Sequence, residues 1–296
     1  MDRPDIVSGT DLFGTRLATL GPSLAPAGRR VARFIDQNRA AALASSAMEL
    51  AARTQTSDAT VIRAVQALGF AGLAELKRAL VSAIERPSTP AEAMRRTLDD
   101  VGEDTAQAVN LVLEAHAEAF EALRSPASQT LIAEAISMLH PADRICVFGI
   151  GPSAALATYV ALLLARSGRR SSVLNVTGGM LADQMLDLRP GDALIVMAYG
   201  RIYREVSAVF SASRRLGLPL VLVTDSLDRR LARFASVILP ARRGRAERVA
   251  LHGATLVCLE AVVLGLAAAD RRAAMGTLER LTQLRADVVT NWGETP

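Results

Sequence analysis

The second half of the chain alternates short β-branched runs with helix-length segments, and this alternation limits the fold more than any other feature. Five runs rich in valine, isoleucine and leucine cover residues 144–149, 172–175, 194–198, 220–224 and 237–239. Short apolar runs separated by helical patterns predict a doubly wound parallel sheet with helices on both faces. Such sheets bind ligands beyond the carboxyl ends of their strands, so we look for a site in the loops there.

The first half of the chain shows helical spacing throughout, and residues 45–79 predict two short helices joined by a polar turn. The first helix begins with the S-x-x-E capping box Ser46-Ala47-Met48-Glu49, and its inward side is predicted to carry Met48 and Leu50. Ser57 provides the N-cap hydroxyl of the second helix. A capped pair of this layout is typical of a helix-turn-helix, whose second helix enters the major groove of DNA.

Exposed polar side chains near the start of the second helix are the candidates for contacts with base edges: Ser57, Asp58, Thr60, Arg63 and Gln66. An arginine can donate two hydrogen bonds to guanine, and a glutamine can pair with adenine. Arg53 and Lys77 are candidates for phosphate contacts. An ordinary helical bundle with solvated polar residues would have the same spacing, so the spacing alone leaves that alternative open.

Two prolines within four residues, Pro87 and Pro90, mark the clearest break in the helical pattern. We therefore predict an α/β protein in which an all-α helix-turn-helix domain precedes the doubly wound domain. The predicted divisions are a DNA-binding domain over 10–86, a helical linker over 87–127, a sheet domain over 128–270 and a C-terminal helical tail over 271–296.

The first predicted strand runs directly into Gly149-Ile150-Gly151-Pro152-Ser153, where a helix begins. Free backbone N–H groups and a hydroxyl at a helix N-terminus favour an anion such as phosphate, so Gly149, Gly151 and Ser153 are candidate effector-binding residues. The loop is not G-x-x-x-x-G-K-[ST], and it does not indicate a nucleoside triphosphatase. A tight turn with a purely structural role is the alternative.

The loop after the third strand is predicted to adjoin the first loop, and its candidate effector-binding residues are Gly200, Arg201, Tyr203 and Arg204. The two arginines could pair with a phosphate, and the tyrosine could donate its hydroxyl. A solvated helix start is the alternative. His252 could reach the same cleft, whereas the basic run from Arg242 to Arg245 is more typical of a solvated charge cluster.

Composition excludes several other kinds of site. Cys146 and Cys258 are the only cysteines, and the three histidines lack ligand spacing, so the sequence predicts neither a disulfide framework nor a metal site. No carboxylate pair and no nucleophile with an adjacent base stands out, so we predict no cofactor and no catalytic residue. The N-terminus lacks a signal-peptide core and the most apolar stretch is too short to span a bilayer, which predicts a cytoplasmic protein. The net charge of +4 is compatible with nucleic acid.

Taken together, these residues resemble the RpiR-type family of bacterial transcriptional regulators, in which a helix-turn-helix precedes a sugar-isomerase-like (SIS) domain. The motifs that carry the resemblance are S-x-x-T-V-x-R at 57–63, L-G-F at 68–70, E-L-K at 75–77 and the loop at 148–153. The resemblance implies a homodimer or homotetramer that binds double-stranded operator DNA. It also implies a small effector, such as a sugar phosphate, that binds the SIS domain near Ser153 and alters operator binding.

The sequence departs from the family pattern at two turns. Gln55 stands where the family usually has a glycine before the second helix, and R-x-Y-R-E at 201–205 replaces a hydroxyl-rich second loop. Two other functions remain open. One is a phosphosugar aldose–ketose isomerase with an accessory helical domain, for which His252 and Glu205 are the candidate bases. The other is a metabolite-binding adaptor without DNA binding, since the second helix carries one cation, Arg63.

Overall fold

The computed structural model describes residues 12–85, 89–200, 202–225 and 232–290. The chain forms two compact units. Unit 1 runs to Glu103 and also includes Arg245–Val249, and unit 2 comprises Asp104–Gly244 and Ala250–Pro296. The helix Pro90–Val101 therefore belongs to unit 1, although the sequence predicted a linker from residue 87 to 127.

The described residues of unit 1 form no strand, and its helices between Leu12 and Glu85 pack around one core. Leu50, Val61 and Val65 are fully buried there, and the rings of Phe13 and Phe70 stack with centroids 6.3 Å apart. In chain order the elements are α1 Leu12–Leu20, a 3-10 turn Gly21–Ser23, α2 Pro26–Gln37, α3 Arg39–Ala44, α4 Ala47–Thr54, α5 Asp58–Ala67, α6 Leu73–Glu85 and α7 Pro90–Val101.

The sequence prediction for one residue of α4 is wrong. Met48 was expected to face inward, but its side chain is 75% exposed. Leu50, Ala51 and Thr54 are the buried residues of this eight-residue helix. Since consecutive residues turn by about 100°, Met48 lies on the side of the helix opposite Leu50.

Unit 2 contains a five-stranded parallel sheet in the order β2-β1-β3-β4-β5, which confirms the predicted doubly wound α/β architecture. Two helices precede the sheet, and helices alternate with the strands along the chain. The elements are α8 Thr105–Leu123, α9 Pro126–Leu139, β1 Arg144–Phe148, α10 Pro152–Arg166, β2 Ser171–Leu174, α11 Gly179–Met185, β3 Asp192–Met197, α12 Arg204–Leu216, β4 Leu220–Thr224, β5 Val237–Pro240, α13 Gly253–Ala269 and α14 Arg271–Thr290.

Consecutive residues of the central strands are buried on opposite faces of the sheet. Val147 and Ile195 pack with α9, α10 and α13 on one face, whereas Phe148 and Val196 pack with α11 and α12 on the other. The crossover helices that follow β1 and β3 therefore cover different faces, although these two strands are neighbours. A doubly wound sheet opens a crevice at such a point, at the carboxyl ends of the strands.

A buried ion pair lies at the opposite, amino end of the same two strands. Arg144 donates from Nε and Nη2 to the carboxylate of Asp192, at 3.0 and 2.6 Å, and Asp192 is 1% exposed. The backbone N–H of Arg189 donates to the same carboxylate at 2.9 Å. This geometry gives the Asp192 side chain a structural role, remote from the crevice.

Within the part of the chain that the structure describes, no single helix is both long and apolar enough to cross a membrane. Only α13 and α14 taken together meet these criteria, and the chain bends by 102° between them.

Candidate DNA-binding and effector sites

Helices α4 and α5 form the predicted helix-turn-helix, and local hydrogen bonds define both of their starts. Ser46 and Glu49 make the reciprocal capping box: the Ser46 N–H donates to Glu49 Oε2 at 2.6 Å, and the Glu49 N–H donates to Ser46 Oγ at 3.3 Å. The hydrogen bond from the Ser46 backbone is the main cause that lowers the pKa of the Glu49 carboxyl. Gln55 ends α4 in the left-handed region, with φ of 52°.

Three of the predicted base-contacting residues also hold the start of α5 in place. Ser57 Oγ accepts the Thr60 N–H at 3.2 Å and lies 2.9 Å from the Thr60 hydroxyl. The Asp58 carboxylate accepts the N–H of Ala59 at 2.7 Å. These side chains therefore satisfy N–H groups at the helix start, and the hydroxyls keep hydrogen-bonding capacity for a second partner.

The remaining candidates on α4 and α5 form an exposed polar face. Arg63 and Gln66 are exposed and three residues apart, on the side of α5 opposite the buried Val61 and Val65. Arg53 is exposed near the end of α4. Among the described residues, none accepts a hydrogen bond or forms an ion pair with Arg53 or Arg63, so both guanidinium groups are available to DNA. Lys77 lies half-buried on α6.

The first effector loop follows β1 at the crevice, and close packing fixes its shape. A Cβ at Gly149 would lie 2.4 Å from the Ser153 carbonyl oxygen, and Gly151 has φ of +59°, so both positions favour glycine. Ser153 is 5% exposed in the first turn of α10, and its hydroxyl makes no hydrogen bond within the described part of the chain. No side chain caps this helix, which leaves backbone N–H groups free for an anion.

The second loop diverges from the first because α12 starts on the other face of the sheet. Gly200 has φ of +53°, Tyr203 is 47% exposed at the N-cap of α12, and Arg204 is exposed in its first turn. Arg201 lies outside the described residues. Glu205 accepts the N–H of Gly178 at 3.3 Å. Ser153 and Arg204 thus begin helices on opposite faces of the sheet.

A cluster that the sequence did not predict lies beside the first loop, on the α10 face of the sheet. We call it the Tyr199 cluster, after the residue at its centre. The Tyr199 hydroxyl lies 2.9 Å from the Thr255 hydroxyl, and the His252 ring meets the Tyr199 ring edge-on, with centroids 5.7 Å apart. The Arg243 guanidinium carbon stands 3.8 Å from the Tyr199 ring centroid, and its Nε donates to Asp225 at 2.8 Å.

Burial controls the protonation of this cluster. Burial, followed by the nearby Arg243 charge, lowers the pKa of His252, and burial raises the pKa of Tyr199. At neutral pH the imidazole and the phenol are therefore both uncharged. The His252 Nδ1 is buried and has no hydrogen-bond partner among the described residues. The sequence signal that could have found this cluster is the position of Asp225 and Arg243 just after β4 and β5. The interpretation of the run from Arg242 to Arg245 as a solvated charge cluster is wrong for Arg243, which pairs with Asp225 and is 21% exposed.

The chain matches two family models and a curated relative. The models are the "Helix-turn-helix domain, rpiR family" over residues 14–87 and the "SIS domain" over residues 138–269. An uncharacterized HTH-type transcriptional regulator of Escherichia coli K12, YfhH, is 26% identical over 218 residues, which are 72% of this chain and 75% of that protein.

A solved structure shares the fold over most of the chain. The Vibrio vulnificus NanR protein complexed with ManNAc-6P is 18% identical with a TM-score of 0.54, and the match covers 94% of this chain and 98% of that one. The two family models together cover more than two thirds of the sequence, in the order that the resemblance predicted. The chain belongs to the RpiR family of DNA-binding transcriptional regulators, with a helix-turn-helix followed by a SIS domain.

Proposed function

We propose that a small metabolite, such as a sugar phosphate, binds the SIS domain at the crevice and changes the affinity of the regulator for its operator. The first loop offers an uncapped helix N-terminus and the nearly buried, unengaged hydroxyl of Ser153. The Tyr199 cluster adds polar groups at the same edge of the sheet. The solved structure of NanR is a complex with ManNAc-6P, which supports the same ligand class here.

The segment after β5 is the observation that carries this proposal. Its first residues, Arg242 and Arg243, belong to unit 2, its middle residues Arg245–Val249 belong to unit 1, and the chain then returns to unit 2 at Ala250. The N–H of Leu251 donates to the Arg243 carbonyl oxygen at 3.0 Å and closes the loop at its base. We propose that this loop transmits effector binding to the DNA-binding unit.

Charged contacts within unit 1 hold the middle of the loop. Glu247 accepts from Arg39 at 3.1 Å and also pairs with Arg96, and its backbone has φ of +61°. Arg248 donates to Asp100 at 2.6 Å, and the Val249 N–H donates to Thr97 at 3.0 Å. The side chains of Arg39 and Glu247 are only 5% and 19% exposed, so removing one partner leaves a charge that water compensates poorly.

The test measures effector binding and operator binding separately on the full chain. Fluorescence anisotropy with DNA from the region flanking its own gene gives operator affinity, and calorimetry with a panel of sugar phosphates gives effector affinity. We expect at least one sugar phosphate to shift operator affinity about fivefold or more, the size of a typical coupling. In Glu247→Gln, the same ligand should bind as in the wild type but shift operator affinity less than twofold.

Glu279→Gln is the matched control, because Glu279 is exposed on α14 and the substitution removes the same charge. This variant should keep the full response. If no ligand in the panel changes the operator affinity of the wild type, the proposed function is wrong. If Glu247→Gln responds like the wild type, the loop does not transmit the signal.

We also propose that the SIS domain binds its ligand without turning it over. Isomerisation needs a base beside the reacting carbons, and Glu205 already accepts a backbone N–H while Asp225 pairs with Arg243. An isomerase assay with the ligand found above checks this. Turnover that disappears in His252→Ala would support the isomerase instead.

The remaining proposals concern assembly and location. Exposed apolar side chains on α8, α13 and α14, among them Leu113, Leu264 and Val288 at 62, 72 and 62%, support a homodimer or homotetramer. Light scattering coupled to size exclusion distinguishes these states. We propose a cytoplasmic location, where operator DNA lies.

A further inference from the structure

Arg243 is held in one orientation by two contacts. The central carbon of its guanidinium lies over the Tyr199 ring, 3.8 Å from the centroid, and its Nε donates to Asp225 Oδ2 at 2.8 Å. The side chain is 21% exposed. An arginine held by a ring contact and an ion pair loses little further freedom when it binds a ligand.

The other edge of this guanidinium is unused. Arg243 contacts Asp225 through Nε alone. Its Nη1 and Nη2 make no hydrogen bond or ion pair with any residue in the described ranges. These two nitrogens present up to four N–H donors in one plane, which suits the paired oxygens of a carboxylate or a phosphate.

The residues on either side of Gly200 and Arg201 leave few free side-chain donors beside Tyr199. Ala198 carries no polar side-chain group, Ile202 packs into the core on the other face of the sheet, and the Tyr199 hydroxyl is bonded to Thr255. His252 Nδ1, in the same cluster, is a second polar atom without a partner among the described residues. Within this cluster of described residues, Arg243 is the cation that an anion can meet.

We infer that Arg243 binds the anionic group of the effector through Nη1 and Nη2, and that it thereby selects metabolites carrying a phosphate or a carboxylate. The inference rests on the proposed effector site. Arg243 also begins the loop whose middle belongs to unit 1, so the residue that contacts the anion is part of the segment proposed to transmit binding.

The test titrates the full-length protein by calorimetry with three probes: inorganic phosphate, malonate and the uncharged polyol sorbitol. The wild type should bind one or both anions saturably and should not bind sorbitol. Arg243→Ala should weaken anion binding about tenfold or more, the loss expected for a charge-assisted bidentate contact. Arg243→Lys keeps the charge but cannot make two parallel hydrogen bonds, so its affinity for the anions should be intermediate.

Arg242→Ala is the matched control, because Arg242 is the adjacent, exposed arginine and its substitution removes the same charge. It should bind the anions within twofold of the wild type. Circular dichroism and melting temperature check that each variant folds. If Arg243→Ala is unfolded, Arg243→Lys decides: wild-type affinity in that variant overturns the assignment of a bidentate contact.

Two further outcomes overturn the inference: no saturable anion binding by the wild type, or equal losses in the Arg242 and Arg243 variants. Failure of the proposed function is distinguished by the operator assay. A sugar phosphate that shifts operator affinity equally in the wild type and Arg243→Ala contradicts the role of Arg243 and leaves the regulator intact. Anion binding that depends on Arg243 but never changes operator affinity supports the inference and contradicts the proposed function.

Discussion

Asp192 is a buried carboxylate whose charge is kept by its hydrogen-bond donors. Burial alone raises its pKa, but the guanidinium of Arg144 and the N–H of Arg189 outweigh burial, and the pKa is below its ordinary value. The unfolded chain therefore binds a proton at a higher pH than the folded chain does. The stability that this group contributes is present above the unfolded pKa, about 4, and is lost as pH falls through the folded pKa.

We predict that Asp192→Asn lowers the free energy of unfolding by about 3–5 kcal/mol at pH 7, because Arg144 keeps a buried charge without its main partner. The loss should shrink as pH falls below about 4, where the unfolded wild type takes up a proton at Asp192, and it should vanish only below the lowered pKa of the folded state. Urea denaturation between pH 3 and 7 measures both effects. Asp143→Asn, at a neighbouring exposed position, should stay within about 0.5 kcal/mol. A pH-independent difference between Asp192→Asn and the wild type would contradict this assignment.

Gln55 illustrates what the sequence left undecided at a single residue. The family's usual glycine is missing there, yet the turn keeps a left-handed backbone, with φ of 52°. A side chain in that region costs about 1–2 kcal/mol. The packing of α4 against α5 holds the turn in this geometry, and such packing cannot be inferred from the turn sequence.

At the scale of elements, α5 is the helix that we predict to read the operator sequence. Arg63 and Gln66 form its exposed polar face, and Lys77 lies half-buried on α6. A base contact and a phosphate contact differ in their dependence on DNA sequence, since only the base varies.

We predict that Arg63→Ala weakens operator binding by about 1–3 kcal/mol and relaxes selectivity at one base position. Lys77→Ala should weaken binding to all sequences by a similar factor. Anisotropy with the operator and a set of single-base variants separates the two patterns. A uniform loss in Arg63→Ala would mean that Arg63 contacts phosphate only.

The strands were the most predictable elements. All five lie within two residues of the predicted runs, because strands covered on both faces are continuously apolar and short. For the loops at their carboxyl ends, the sequence predicted the positions in the chain but not the contacts between the loops. Tyr199, Asp225 and Arg243 come from three different loops, and their contacts depend on strand order, which periodicity does not encode.

For the whole molecule, the number of arginines overstates the cations available to DNA. Arg39, Arg96, Arg144 and Arg248 all pair with carboxylates inside their own units. Arg53, Arg63 and Lys77 are the helix-turn-helix candidates that form no ion pair with the described residues.

We predict a modest salt dependence of operator binding. With about two cations, Arg53 and Lys77, in contact with the backbone, the slope of log K against log salt should be about −2 per DNA-binding unit. Lys77→Ala should reduce its magnitude by about one. Fluorescence anisotropy between about 50 and 200 mM salt gives the slope. A slope near zero would instead favour the adaptor without DNA binding.

The sequence by itself determined the order of the two domains, the caps of the helix-turn-helix and the parallel sheet. Each of these depends on hydrogen bonds and burial between residues a few positions apart, or on a repeating apolar pattern. Only the tertiary structure decided that Arg243 stacks on Tyr199, and that Glu247, from the second half of the chain, belongs to unit 1 with Arg39 and Arg96. Those contacts join residues far apart in the chain, and their stability comes from burial and charge pairing that exist only once the chain has folded.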